Sequence, residues 1–398
     1  MFKLTRVQAL DAKHQHTPTF ASYVGDPNLL EVYLFSFIID VPWVLSHIKP
    51  STKVHFVYGY KDSDELAKET VPEGYRVKFH GKKQYQPFGC HHTKMMVLFY
   101  RGETCKIVVS TANLRAFDWE NMTQGVWESP ILGINRNAEN PRFCTQLVAY
   151  LRAYGLNELF TLANRIETYD LSSITDQFVA SVPGNFTRPD WGLQALEKLI
   201  PASEYVICQC SSVGALSTPY LTQLKVNLKT KRLEIVFPTV EQVASSLNGW
   251  ESGCSLFFKR SPTVKTQSTQ YATLRPHLNS WKSLKAGRMM AAPHIKTYLG
   301  MNESGMVLWI LLTSANLSRA AWGQPNKKRQ TFHIQNNEAG VLRVFDCPQE
   351  PAYLSDHRDW VISYDLPLTK YTDKDEAWSQ QDTYRQHDIY GRVWQGTA

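Results

Sequence analysis

The sequence predicts a mixed α/β protein made of two related halves. Three observations carry this. A short polar phrase of His, Lys and Asn occurs twice. Each copy sits on two apolar, β-prone segments joined by a turn. The chain, at 398 residues, is long enough for two domains and has its densest cluster of chain breakers near the middle.

The first copy of the phrase is His92-Thr-Lys94, a hydrophobic run, then Thr111-Ala-Asn113-Leu114 and Trp119. The second is His294-Ile-Lys296, another hydrophobic run, then Ser314-Ala-Asn316-Leu317 and Trp322. From His to Asn the step is 113 − 92 = 21 in one and 316 − 294 = 22 in the other. From Asn to Trp it is 6 in both. Each copy reads as a hairpin. A strand from His92 to Tyr100 turns at Arg101-Gly102-Glu103 into a strand Lys106–Ser110; a strand from His294 to Leu299 turns at Asn302–Gly305 into Met306–Leu312. Residues i and i+2 of a strand share a face, so each His and its Lys point the same way. The return strand brings each Asn back to the level of its His. Each half thus offers an imidazole, an ammonium and a carboxamide on one surface. Two such sets suit an oxyanion with several oxygens, above all a phosphodiester.

The remaining elements follow from periodicity and breakers. Residues 29–45 read as an apolar helix, 54–58 as a buried strand, and 62–70 as a charged helix or loop. Phe143, Leu147 and Leu151 form one helical stripe within 141–154. Ser181-Val-Pro-Gly184 with Arg188-Pro189 marks the boundary, giving domains 1–187 and 188–398 with one His/Lys/Asn set in each. Residues 203–209 read as a strand, 225–234 as basic and polar, 261–277 as a solvated loop, and the tail after Tyr371 as polar with core or rim aromatics.

Composition narrows the partners. The hydrophobic fraction of 43% is that of a folded globular chain, and no apolar run is long enough to span a bilayer. The opening Met1–Arg6 does not read as a signal peptide. Seven scattered cysteines point to reduced thiols and an intracellular site. A net charge of +7 leans toward polyanions without proving a nucleic-acid partner.

Hydrolysis of a phosphodiester without a metal needs a nucleophile, an acid for the leaving oxygen, and positive charge on the phosphoryl oxygens. Two histidines can divide the first two tasks if one is neutral and the other protonated. Gln124 follows Asn113 and Glu338 follows Asn316. A neutral amide adds no bias toward imidazolium, whereas a carboxylate on the far nitrogen stabilises it. With each group serving its own half, His92 is the expected nucleophile, oriented by Gln124, and His294 the general acid, supported by Glu338. Lys94, Lys296, Asn113 and Asn316 would hold the non-bridging oxygens.

These doubled half-sites resemble the phospholipase D superfamily. That superfamily usually has an Asp a few residues after the Lys; Phe99 and Met301 stand there instead. Loss of that Asp resembles the tyrosyl-DNA phosphodiesterase family. Further stretches agree, in order: Phe88-Gly-Cys-His-His-Thr-Lys-Met-Met96, Thr123-Gln-Gly125, Ser211-Ser-Val-Gly214, Pro293-His-Ile-Lys-Thr-Tyr298, Ser314-Ala-Asn-Leu-Ser318, Ala321-Trp-Gly323 and Glu338-Ala-Gly-Val-Leu342. The resemblance implies a pseudo-two-fold pair of α/β/α sandwiches with the active site at their interface. It implies a phosphohistidine at His92, protonation of a departing tyrosine by His294, activation of water by His294, and a 3′-phosphate product. It implies no cofactor and no metal, single-stranded or 3′-end DNA and a topoisomerase I-derived peptide as partners, a monomer, and a nuclear location. Gln124 and Glu338 fall on its supporting positions. Phe88 falls where an aromatic stacks on a base, and Ser211, Ser212, Ser318 and Ala320 fall on or beside DNA-backbone contacts.

Several residues have plainer readings. His14, His47, His55 and His277 are expected to be structural or surface histidines. His91 should face away from His92. Cys90-His91-His92 lacks the donors of a metal site. Phe88 has a core reading beside the stacking one, and Trp119 and Trp322 read as packing. A phospholipase-like lipid hydrolase, a general nuclease and a silent DNA-end binder are the rival functions. Phe99, Met301 and the lack of a membrane-binding stretch disfavour the first, and a binder alone needs no pair of protonatable histidines.

Overall fold

Two large sheets with the same strand order organise the chain. The computed structural model describes residues 1–10, 17–135, 137, 139–188, 190–261, 263–326 and 328–397; His14 lies outside them. In the first sheet the strands run, side by side, Phe2–Leu4, Gly125–Glu128, Thr104–Ser110, Met95–Tyr100, Leu29–Phe35, Lys53–Tyr60 and Arg76–Lys83. In the second they run Gln177–Ser181, Glu338–Gln349, Val307–Thr313, Thr297–Met301, Ser203–Gln209, Thr230–Val236 and Leu278–Asn279. The pairings match as well. In both sheets the first four neighbouring pairs are antiparallel and the last two parallel. The strands closest to the sheet centres are apolar on both faces, as sheets covered on both sides require.

Among the described residues, three cores follow from this layering. The outer face of the first sheet packs Val32, Leu34, Phe56 and Leu98 against the short helices Phe20–Val24 and Val41–Ser46. The outer face of the second packs Cys208, Ile235 and Trp309 against helices that include Gly192–Leu199 and Thr218–Asn227. The inner faces share one core. Val97, Ile107 and Trp127 of one sheet join Leu299, Ile310 and Leu312 of the other, together with helices Arg142–Ala153 and Asn157–Ile166. The architecture is therefore the expected α/β one, with helical layers flanking the sheets. No helix among the described residues is long and apolar enough to cross a membrane.

Both hairpins form, with strands Met95–Tyr100 and Thr104–Ser110 in one half and Thr297–Met301 and Val307–Thr313 in the other, but both first strands begin later than expected, so His92–Lys94 and His294–Lys296 are extended segments leading into them and not strand residues. The stripe over 141–154 becomes helix Arg142–Ala153, and Ser203–Gln209 is a strand. Three expectations change. Residues 29–45 hold a strand, Leu29–Phe35, followed by the helix Val41–Ser46. Leu29–Phe35 lies between two strands, and its last four residues, 32–35, are buried on both faces, so that run carries no alternation to distinguish it from a buried helix. Residues 265–274 form a helix instead of a loop. It has almost no apolar stripe, and tertiary bonds hold it: Gln270 accepts from the Leu216 N–H at 3.1 Å and donates to the Gly214 carbonyl at 2.8 Å. The third change concerns the boundary. Gln177–Ser181 precedes the expected division at 187/188 yet is the edge strand of the second sheet, paired with Glu338–Leu342. It mirrors Phe2–Leu4, so the breakers at Ser181–Gly184 end the opening strand of the second half and do not separate the halves.

Candidate active site

Each half-site is assembled at one end of its hairpin. The Ser110 N–H donates to the Lys94 carbonyl at 2.9 Å and the Thr313 N–H to the Lys296 carbonyl at 3.1 Å. These bonds return Thr111–Asn113 and Ser314–Asn316 to the level of the histidines. Both halves face one cavity of about 360 Å³, whose lining includes His92, Asn113, His294, Asn316 and Glu338. Lys94 and Lys296 are buried beneath it, 1% and 0% exposed. Each lysine donates to the carbonyl of its own histidine, Lys94 at 2.7 Å to His92 and Lys296 to His294. The sequence-predicted His/Lys/Asn set is thus brought together entire.

The supporting groups are crossed between halves, which corrects the expected pairing. His92 Nδ1 is 2.9 Å from Glu338 Oε2. His294 Nδ1 is 2.9 Å from Gln124 Nε2 and 3.2 Å from its Oε1. Backbone pairing forces the exchange. The His92 N–H donates to the Asn337 carbonyl at 2.9 Å, and the His294 N–H to the Thr123 carbonyl at 3.0 Å. The residue before each supporting group is therefore bonded to the histidine of the opposite half. Gly125 permits this close approach: a Cβ there would lie 2.7 Å from Ile295 Cδ1 and Leu312 Cδ1.

Each supporting group is fixed in turn. Glu338 accepts from Ser314 Oγ at 2.5 Å and from Asn336 Nδ2 at 2.9 Å. Burial pushes its carboxyl up, but His92 and these hydrogen bonds outweigh that and hold it below the usual range. Gln124 accepts from Thr111 Oγ1 at 2.8 Å and donates to Asp118 Oδ2 at 3.2 Å. Thr111 and Ser314 are matching positions, each two residues before its Asn. Both histidines use Nδ1 for support, which leaves Nε2 of each for chemistry.

The free site is short of negative charge. Burial lowers His92, with Glu338 opposing. Burial lowers His294 well below its ordinary value, and Lys296, Lys94 and His92 lower it further. Burial brings Lys94 down to about 8 and drives Lys296 well below its usual range. An anionic ligand with several oxygens would relieve all four groups at once. Asn316 is set to meet one: its Oδ1 is occupied by the Ser211 and Ser212 N–H groups at 3.1 and 2.9 Å, leaving its NH₂ free to donate.

The expected DNA-contacting residues are placed variously. Phe88 is 82% exposed on the loop after Arg76–Lys83, which removes its core reading. Ser212 and Ser318 line the cavity beside the buried Ser211. Ser318 also caps helix Arg319–Trp322, accepting from the Ala321 N–H at 3.1 Å. Ala320 lies off the cavity lining, and its carbonyl accepts the Gln335 and Asn336 N–H groups. His91 is buried between the Ser36 carbonyl and the Tyr154 hydroxyl, and burial pushes it down to about 3, so its role is structural. His47 bonds the Trp43 carbonyl, His277 the Leu233 carbonyl, and His55 sits between Glu31 and His80. Trp119 and Trp322 are buried packing residues. Among the described residues no group of three or more His, Cys, Asp or Glu side chains is arranged to hold a metal.

Three neighbours of the site carry no distinguishing sequence signal. Phe37 stands edge-on to His92, ring centroids 5.6 Å apart, in the run misread as helix. Asp118 is fully buried and accepts from the Asn113 N–H and Nδ2, both at 2.9 Å. Arg115 Nε donates to Asp118 Oδ1 at 2.5 Å. An Asp five residues after the Asn occurs only in the first half; Ala321 stands at that step in the second.

Two like sheets and a shared His/Lys/Asn cavity define a phosphodiesterase of the phospholipase D superfamily. Comparison with known proteins narrows this. The sequence model of the tyrosyl-DNA phosphodiesterase family matches residues 1–372. A probable tyrosyl-DNA phosphodiesterase of Schizosaccharomyces pombe is 29% identical over 513 aligned positions, covering 98% of this chain and 95% of the relative. Tyrosyl-DNA phosphodiesterase 1 of Drosophila melanogaster is 32% identical, covering 86% of this chain and 66% of its own. The crystal structure of the yeast tyrosyl-DNA phosphodiesterase superimposes with a TM-score of 0.79 at 22% identity, over 95% of this chain and 99% of that one, and shares its fold. The chain belongs to the tyrosyl-DNA phosphodiesterase family, phosphodiester hydrolases of DNA repair.

Proposed function

We propose that this enzyme hydrolyses the 3′-phosphotyrosyl bond joining DNA to a topoisomerase I-derived peptide and leaves a 3′-phosphate. The observation that carries the reading is the crossed support, a carboxylate on His92 and an amide on His294. With Nδ1–H donated to Glu338, His92 presents the Nε2 lone pair to phosphorus. The carboxylate also offsets the positive charge that grows on the ring as the P–N bond forms. This replaces the reason first expected for His92 as nucleophile. As the P–N bond forms, the P–O bond to tyrosine breaks, and the His294 Nε2 proton passes to the departing phenolate. Water then attacks phosphorus and yields its proton to His294. The P–N bond breaks, freeing His92 and the 3′-phosphate. Lys94, Lys296 and the NH₂ of Asn316 hold the non-bridging oxygens, with Asn113 beside them.

The DNA is held as a single strand ending at the cavity, with Phe88 stacked on a base and the hydroxyls of Ser212 and Ser318 on the backbone. The same chemistry would serve other 3′-end adducts. The enzyme acts as a monomer in the nucleus, where such adducts arise. A 5′-labelled oligonucleotide with a 3′-phosphotyrosyl peptide, incubated with a chelator, tests the reading. Conversion to the 3′-phosphate supports it. A 3′-hydroxyl product, or a loss of rate that magnesium or zinc restores, contradicts it.

A further inference from the structure

The crossed support leaves His294 with a problem. To act as acid it must carry a proton, yet its direct partner is a neutral amide. The cationic or protonatable groups that face it are Lys296 on its own segment, Lys94 and His92 on the opposing one, and Arg115 after Asn113. Glu338 is committed to the His92 ring. Among the described residues the carboxylate that remains is Asp118, whose Oδ2 lies 3.4 Å from His294 Nδ1.

Asp118 is built into the first half alone. Its side chain has no exposed surface. Oδ1 takes the Arg115 Nε–H, and Oδ2 takes the Asn113 N–H, the Asn113 NH₂ and the Gln124 NH₂. The Gln124 amide is pinned at both ends, its oxygen by the Thr111 hydroxyl and its nitrogen by Asp118. A proton on His294 Nδ1 then has two acceptors in reach, Gln124 Oε1 at 3.2 Å and Asp118 Oδ2 at 3.4 Å.

We infer that Asp118 is the positioning residue for leaving-group protonation: it fixes the Gln124 amide against His294 and sets a carboxylate beside that imidazole, so that the imidazolium forms in a site crowded with lysines. This rests on the reading of His294 as general acid. Glu338 and Asp118 then divide the carboxylate work. One touches the nucleophile directly, and the other acts on the acid from behind an amide. Direct contact would favour donation of Nδ1–H and a basic Nε2. The more distant charge favours retention of a proton on Nε2 without binding the ring so firmly that it cannot give the proton up.

The test follows covalent-adduct formation in single turnovers against pH, with two 3′ leaving groups, tyrosyl peptide and 4-nitrophenol. In Asp118→Asn the tyrosyl reaction should slow by about 10²-fold and the nitrophenyl reaction by much less, because a good leaving group needs little protonation. The descending limb of the tyrosyl profile should move to lower pH by about one unit or more. Adding Gln124→Glu, which puts a carboxylate directly on His294, should move it back. Equal slowing of both substrates with an unmoved limb overturns the inference. His294→Ala, run in parallel, separates this from failure of the underlying reading. If His294→Ala slows both leaving groups equally, His294 is not the acid; if it discriminates and Asp118→Asn does not, only the role of Asp118 falls. Should Asp118→Asn not fold, Arg115→Gln carries the test. Removing a cation from Asp118 and from the surroundings of His294 should move the limb to higher pH, and an unmoved limb overturns the inference.

Discussion

Glu338 bonds to His92, 246 residues away in the chain, and not to His294 of its own half. This contact changes the chemistry expected of both histidines. It makes His92 the imidazole with a carboxylate behind it, the arrangement that orients and activates a nucleophile or base in other hydrolases.

Glu338→Gln should therefore damage the first chemical step more than binding. We expect adduct formation to fall by about 10²- to 10⁴-fold, the cost associated with a lost orienting carboxylate or general acid–base group. Affinity for single-stranded DNA should change little. Single-turnover kinetics beside a binding titration checks this; a variant that loses affinity and keeps its rate would place Glu338 in binding.

Lys94 gives a pH dependence of known sign. Burial lowers it to about 8, so in the free enzyme it loses its proton as pH rises through that value. With it goes a positive charge meant for the phosphoryl oxygens, and kcat/KM should fall above about pH 8. Stability should move the other way. Between about 8 and its ordinary value of 10.5 the unfolded chain binds the proton and the folded one does not, so this lysine's contribution to stability rises with pH across that window. Lys94→Met should remove its contribution to the alkaline limb, seen in kcat/KM profiles, and with it the rise, seen in denaturant midpoints at pH 8 and 10. A rise of the same size in the variant would assign the effect to another group.

Phe88 projects from its loop, 82% exposed, and supports no core. Phe88→Ala should leave thermal stability unchanged and weaken single-strand binding by roughly 1–3 kcal/mol, the range for one base stacked on an aromatic. The loss should be similar on oligonucleotides of different sequence, and affinity should fall with salt for wild type and variant alike. Fluorescence anisotropy measures both. Sharp discrimination among bases would replace stacking by edge recognition.

The sequence carried the site's composition but not its wiring. His92, Lys94, Asn113 and their counterparts are legible because each flanks one end of a hairpin whose strands bring the two segments back together, and hairpin geometry is local, although His92 and Lys94 lead into the first strand and do not belong to it. The exchange of Gln124 and Glu338 was hidden because it depends on two backbone bonds between halves, from His92 to Asn337 and from His294 to Thr123. No spacing within one half encodes them. Asp118 was hidden for another reason: doubling was the signal, and Asp118 is not doubled. Strand Leu29–Phe35 resembles a helix in the sequence because its last four residues, buried on both faces, have no alternation, and Phe37 just beyond it shares that ambiguity. The breakers near Ser181–Gly184 stand out in the sequence, but they follow a strand, Gln177–Ser181, that already belongs to the second sheet.

The central claim is that His92 forms the bond to phosphorus. His294→Ala, mixed with a 5′-labelled oligonucleotide carrying a 3′-(4-nitrophenyl) phosphodiester, should complete the first step and stall before the second. Digestion of the denatured protein and mass spectrometry should then find the oligonucleotide phosphate on the peptide containing His92. Adding His92→Ala should abolish the adduct. An adduct on any other residue, or rapid release of 3′-phosphate with no adduct, would contradict the account.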